Sequence, residues 1–262
     1  MTRDEEIRHA RQRKGIYVRA IAALEKAFRL IEADAPKPTE VTRGNHLAFR
    51  YMEPSAEAAI FLKLARLVSL VHGLELLIDH GRVQEQCILQ RSIEETNEDI
   101  VFLCLSISGG EQTDRHAEFL TEFWKEDYSD PSDPVGSRIP RGYSRKGIRS
   151  YNNRALAQPN PSGADGAGRS IYEMYSGFLH GSAPHIMELF DENNGRFSSG
   201  SISGSVRLTD YILDAQNSFY RSLLSAAFVA KAFGLPDTLE FVQNEISAFI
   251  EQVGRENLLK SD

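Results

Sequence analysis

Apolar positions recur at helical spacing along most of the chain. From Leu62 to Ile78, the residues Leu62, Leu64, Leu67, Val68, Leu70, Val71, Leu74, Leu76, Leu77 and Ile78 surround a helix almost completely. A helix apolar on most sides is a buried one. Pro54 and Ser55 open it and Gly81 stops it. The next stretch, VQEQCILQRSIEETNEDIVFLCL from Val83 to Leu105, has no Gly or Pro and reads as one helix. The turn between the two is only a few residues, so they form an antiparallel hairpin at the centre of the fold. On the second helix, Gln84, Ile88, Arg91, Glu95, Glu98, Phe102 and Leu105 share one stripe, apolar at its ends and ionic in its middle. Either this is a surface helix with weak i,i+4 ion pairs such as Arg91–Glu95, or its ionic centre lines a cavity or meets other helices.

The remaining pattern fills in around this hairpin. A first helix is predicted over 3–33, with Ile7, Ile16, Ala20, Ala23, Leu24, Ala27, Leu30 and Ile31 as its stripe and Gly15 as a potential kink. Pro36 and Pro38 end it, and 36–53 reads as a linker or irregular arm. Further helices are predicted over 112–128, 144–157, 165–180, 182–190, 208–234 and 236–258. GRFSSGSISGSVR, residues 195–207, reads as a Gly/Ser loop or two-stranded flap. The expected fold is all-α: a single irregular bundle of about seven helices with that short flap. Residues 1–40 are divided off as an N-terminal helix and linker, and 41–262 as the helical domain. The first helix is expected to pack outside the bundle or to mediate a homodimer.

Composition narrows the class only slightly. The 262 residues are 41 % hydrophobic and 26 % charged, as in ordinary globular proteins. The net charge of −7 gives no global attraction to nucleic acid or to anionic membrane. Cys87 and Cys104 lie 17 positions apart on one helix, roughly 25 Å, so they cannot pair within it. The opening MTRDEEIRHARQRK is charged throughout and is not a signal peptide. No uninterrupted apolar run approaches the ~20 residues of a membrane span. A soluble protein of a reducing cytoplasm is expected.

Charge patterning singles out one segment. From Pro134 to Ala164 there is no acid, and Arg138, Arg141, Arg145, Lys146, Arg149 and Arg154 are interleaved with Tyr143, Tyr151, Asn152 and Asn153. Cations among aromatics suit phosphate contact and base stacking. The competing reading docks this segment on the rest of the chain, which carries about −13 without these six positives.

A second polar group lies on the helix over 165–180. Tyr172, Ser176 and His180 are spaced four apart and stack along one face, beside Arg169 and Glu173. Ile171, Met174, Gly177 and Phe178 form the apolar face. RSIEETNEDIVFL on one helix and YEMYSGFLHGSA ending another resemble a widespread family of uncharacterised bacterial helical proteins, over roughly residues 55–235. Its members pair an Arg-Ser-x-x-Glu helix with a Tyr-x-x-x-Ser-x-x-x-His helix. The resemblance implies an all-helical fold with Arg91, Glu95, Tyr172, Ser176 and His180 as the shared polar signature, and it implies no particular activity.

Several chemistries can be weighed on these residues. Ser176, His180 and Glu95 formally supply a nucleophile, a base and an acid, but no strained turn exposes the hydroxyl. His180 and His185 with Glu95, Glu98 and Asp99 match no metal-site spacing, and no dinucleotide fingerprint or DNA-binding motif is present, so neither metal nor cofactor is expected. A metal-independent ribonuclease of a defence or toxin system would need Arg followed four to six residues later by His. Arg66–His72 and Arg3–His9 fit, but roughly two such matches arise by chance. The expected function is a binding or structural module for a small anion, nucleotide or RNA. Its site would be Arg91, Glu95, Glu98, Arg169, Tyr172, Ser176 and His180, with Arg141, Arg145 and Arg149 from the basic segment. The alternative is the ribonuclease-like effector, with His180, Arg91 and Glu95 as catalytic candidates. The same cluster can equally be a satisfied polar network that fixes helix register.

Overall fold

The computed structural model describes residues 3–43, 46–109, 112–130, 132–133, 135–140, 142, 145–156, 161–191, 194–202 and 207–254. For residues 3–11, 43, 46, 161–165 and 167–168 only the backbone is described. The chain runs α1 (Arg3–Asp34), β1 (Thr39–Arg43), β2 (His46–Arg50), α2 (Ala56–Asp79), α3 (Val83–Ile107), α4 (Asp114–Trp124), α5 (Arg145–Ala155), α6 (Pro161–Leu179), α7 (Ala183–Ile186), a 3-10 turn, β3 (Phe190–Asp191), β4 (Arg196–Phe197), α8 (Arg207–Asp214), α9 (Gln216–Ala232) and α10 (Pro236–Val253). The protein is all-α apart from two small hairpins.

More helical segments form than the seven expected. The run over 208–234 divides at Ala215 into α8 and α9, and the one over 182–190 is cut to α7 and the 3-10 turn. The arm over 36–53 is also corrected. It pairs Thr39–Arg43 with His46–Arg50 as an antiparallel hairpin. Alternation of Val41 and Thr42, then Leu47, Ala48 and Phe49, carries a strand pattern that Pro36 and Pro38 obscure.

α2 and α3 form the central antiparallel hairpin. The Ser55 hydroxyl caps α2 by accepting from the Ala58 N–H at 3.1 Å. Leu64, Leu67 and Leu74 of α2 are fully buried. Each such side chain contributes about 1.5–3 kcal/mol relative to exposure. α3 touches α2, α9, α6 and α5. α9 in turn packs on α1 and α10.

α1 is not outside the bundle. It runs unbroken through Gly15, and Ile16, Tyr17, Leu24, Ala27 and Ile31 belong to the same core as α2, α3, α9 and α10. Tyr17 stacks on Phe219 at 4.3 Å between ring centroids and donates its hydroxyl to the Ile212 carbonyl at 2.6 Å. Arg13, also buried, donates to the Val253 carbonyl at the end of α10 at 2.7 Å.

The α6–α7 corner depends on two glycines. Gly181 holds φ +62°, and the N–H groups of Gly181 and Ser182 return to the carbonyls of Phe178 and Gly177. This closes α6 in the left-handed conformation that glycine adopts without steric cost. At Gly177 the His185 imidazole lies where a side chain would begin, since a Cβ there would stand 2.2 Å from its Cε1.

Candidate functional site

The ionic middle of α3 faces α5 and α6, and both bring side chains onto it. From α6, the Tyr172 hydroxyl accepts a hydrogen bond from Arg91. The Arg91 guanidinium also lies over the Tyr172 ring, 4.2 Å from its centroid. Arg91 further pairs with Glu95 at 3.2 Å, one turn along α3. From α5, Arg149 contacts Glu98 at 2.9 Å and stands 5.7 Å from the same Tyr172 ring. The Tyr172 ring therefore has two guanidinium groups near it, one from each neighbouring helix.

Arg145, one turn before Arg149, is held more deeply. It contacts Asp99 at 2.6 Å and Glu98 at 2.7 Å, and donates to the Glu95 carbonyl at 2.8 Å. Lys63 of α2 reaches the other oxygen of Asp99 at 2.7 Å. Only 2 % of the Asp99 side chain is exposed, against 12 % for Glu98 and 19 % for Arg145. Burial by itself would lower the Arg145 pKa, but the Asp99 and Glu98 carboxylates, with Glu95 beyond them, raise it and keep the guanidinium charged. Asn152 adds a hydrogen bond to the Glu98 carbonyl at 2.9 Å. In this part of the basic segment, Arg145 is spent on the chain's own acids, while Arg149 contacts Glu98 through its Nε. The signal for α5 was its acid-free composition opposite an acid-rich stretch of α3.

On the α9 side a separate set of polar groups is buried. Gln86 and Gln90 of α3 are fully buried. Gln90 donates to the Tyr175 hydroxyl at 3.1 Å and to the Asp214 carboxylate at 3.3 Å, and Tyr175 donates to the same carboxylate at 3.2 Å. The Asp214 residue keeps solvent contact, but its carboxylate is turned in on these partners. Its desolvation raises the pKa, which the hydrogen bonds from Gln90 and Tyr175 oppose. Glu94 is likewise raised by burial, against the pull of its ion-pair partner Arg221. The Asn97 side-chain Oδ1 accepts from the Ser225 hydroxyl at 2.7 Å.

The predicted site residues thus separate. Arg91, Glu95, Glu98, Tyr172, Arg145 and Arg149 come together around the middle of α3. Arg169 and Glu173 pair with each other at 2.7 Å on the exposed side of α6. Ser176 is half-buried and His180 is exposed at the end of α6, where its backbone N–H bonds the Ser176 carbonyl. Arg141 lies outside the described residues. Lys63, Arg221, Gln86, Gln90, Tyr175 and Asp214 were not singled out from the sequence. Lys63 carried a signal as one of two cations, with Arg66, in an otherwise apolar stretch of helix. Gln86 and Gln90 carried one as two amides a turn apart on a side otherwise lined by Ile93 and Ile100.

Among the described residues, no group of three or more His, Cys, Asp or Glu is arranged to hold a metal ion. No helix among them is long and apolar enough to cross a membrane. The two cysteines are free and buried, and burial pushes both thiols up, away from the reactive thiolate form. Compared with protein-family models, with curated proteins and with solved structures, the chain matches none.

Proposed function

We propose that the protein is a binding module for a phosphate-bearing anion, seated where Arg91, Arg149 and Tyr172 meet. The observation that carries this reading is the Arg91 guanidinium. It has a hydroxyl and a carboxylate as partners on two of its nitrogens, yet its buried Nη1 has no partner among the described residues. A buried N–H without an acceptor costs about 1–3 kcal/mol. A phosphate oxygen is the acceptor that a guanidinium fork recognises best, and two forks near one ring suit a dianion. Charge supports the same sign of ligand. Around this face Lys63, Arg91, Arg145 and Arg149 meet Glu95, Glu98 and Asp99, one positive group in excess.

The test is titration with inorganic phosphate and with a short 5′-phosphorylated single-stranded RNA at two salt concentrations. Binding is expected to weaken with salt and to fall about tenfold in Arg91→Gln, whose lost charge-assisted bond is worth roughly 1.5–3 kcal/mol. Absence of binding at low salt would overturn the reading, as would binding that ignores Arg91→Gln and Arg149→Gln alike.

A second reading, a metal-independent ribonuclease, draws on one further observation. His180 is exposed just past the end of α6, eight residues or roughly 12 Å along the helix axis from Tyr172. A nucleic acid strand held at Tyr172 would pass within reach of that imidazole as a proton acceptor. Cleavage of the same RNA in the presence of a chelator, lost in His180→Ala without loss of binding, would favour it over simple binding.

A further inference from the structure

A cleft of about 460 Å³ opens between the end of α1, the β1–β2 hairpin, the start of α2 and the end of α4. This volume is within the range of small-molecule sites. Its walls are aromatic. Tyr51 meets Trp124 edge-on at 5.8 Å and Phe123 meets Trp124 at 5.0 Å, with Phe49 and Phe61 further along the lining. Offset and edge-to-face geometries of this kind leave flat faces against which another ring can pack.

The polar groups of the cleft are unevenly matched. Arg50 is neutralised by Glu126 through two contacts at 2.9 and 3.3 Å, Lys125 pairs with Glu122, and Glu32 is taken by Arg29 at 2.7 Å. Lys37 is different. Its ammonium bonds a backbone carbonyl, that of Glu32, and no carboxylate of the described residues stands within ion-pair distance. The Trp124 indole N–H is buried and has no hydrogen-bond partner among the described residues. A hydrophobic, aromatic-walled cleft with one exposed cation that no described carboxylate pairs is complementary to a ring that carries a negative charge. A cationic ligand would meet Lys37 unfavourably, although aromatic walls alone would admit one.

We infer that this cleft binds small aromatic carboxylates, with the ring packed against Tyr51 and Trp124 and the carboxylate directed to Lys37. This site is independent of the one on α3, and it shares no residue with it. Trp124 is the only tryptophan in the chain, so its emission reports on this cleft alone.

The experiment is to titrate the whole protein with benzoate and follow that emission, with benzyl alcohol and acetate as controls. A saturable change is expected with benzoate, a weaker one with benzyl alcohol and none with acetate. Lys37 is exposed, so Lys37→Ala should leave the melting temperature unchanged while weakening benzoate roughly fivefold, the size of one exposed charge contact. Lys37→Glu should reverse the preference from benzoate to benzylamine. The inference is overturned if benzoate gives no saturable change. It is also overturned if benzyl alcohol binds as well as benzoate and Lys37→Ala has no effect, or if only a proline-rich peptide moves the emission.

Discussion

A single imidazole illustrates how much one side chain can join. His116 is fully buried at the start of α4, stacked on Phe102 at 3.9 Å and edge-on to Tyr151 at 4.7 Å. Its Nδ1 accepts from the Thr113 N–H at 3.0 Å, which leaves Nε2–H to donate to the Phe102 carbonyl at 3.2 Å. Only the neutral ring can do both. Burial therefore lowers its pKa, in spite of the two backbone bonds that act the other way. On acidification the unfolded chain takes up a proton here, near pH 6.5, before the folded one does. Stability contributed by this residue is then full above about pH 6.5 and declines as the pH drops below it, by up to about 1.4 kcal/mol per pH unit. Urea unfolding at pH 7.5 and pH 5.5 should show a drop in the wild type that is smaller in His116→Gln. An equal drop in both proteins would assign the acid sensitivity to other groups.

At the scale of elements, α5 is held to α3 by charge more than by apolar contact. Ile148 and Tyr151 are its buried hydrophobic side chains, while Arg145 and Arg149 reach three carboxylate or carbonyl sites on the facing helix. Removing Arg145 would leave Asp99, almost wholly buried, with Lys63 alone. Arg145→Met is expected to cost roughly 3–5 kcal/mol in urea unfolding, and most of that loss should disappear when Lys63→Met and Asp99→Asn are added. A loss that persists in the triple variant would show that packing, and not charge, holds the helix. The α2–α3 hairpin was legible because its apolar period and short turn are local properties. The ionic stripe on α3 and the polar face on α6 were legible as candidates for the same reason. Their partners were not, because a composition rich in cations says that a segment seeks anions without saying whether those belong to a ligand or to the chain. The β1–β2 hairpin was hidden by prolines that flank it rather than interrupt it. The aromatic cleft was hidden because Lys37 and Tyr51 come from two separate connections and Trp124 from the end of α4.

For the whole molecule, the decisive feature is that the core is shared between the first helix and the last two. Tyr17, Leu24, Ala27 and Ile31 are buried against α9 and α10, so the bundle has no separate inner shell that could stand without α1. Deleting residues 1–34 should abolish the cooperative thermal transition and leave an open, dye-binding state. A shortened chain that still melts cooperatively would mean that α2, α3, α9 and α10 can close the core by themselves.

The bond from Arg13 to the Val253 carbonyl spans 240 positions. On the ribosome, α1 emerges with its apolar stripe and waits for α9 and α10 to be made. At about 5–20 residues per second, that interval is roughly ten to fifty seconds. For this time the nascent helix is an amphipathic segment without its cover, open to chaperones that recognise exposed apolar faces and to other unfinished chains. Slow codons late in the message would lengthen the wait, and holding factors that bind early would shorten its danger.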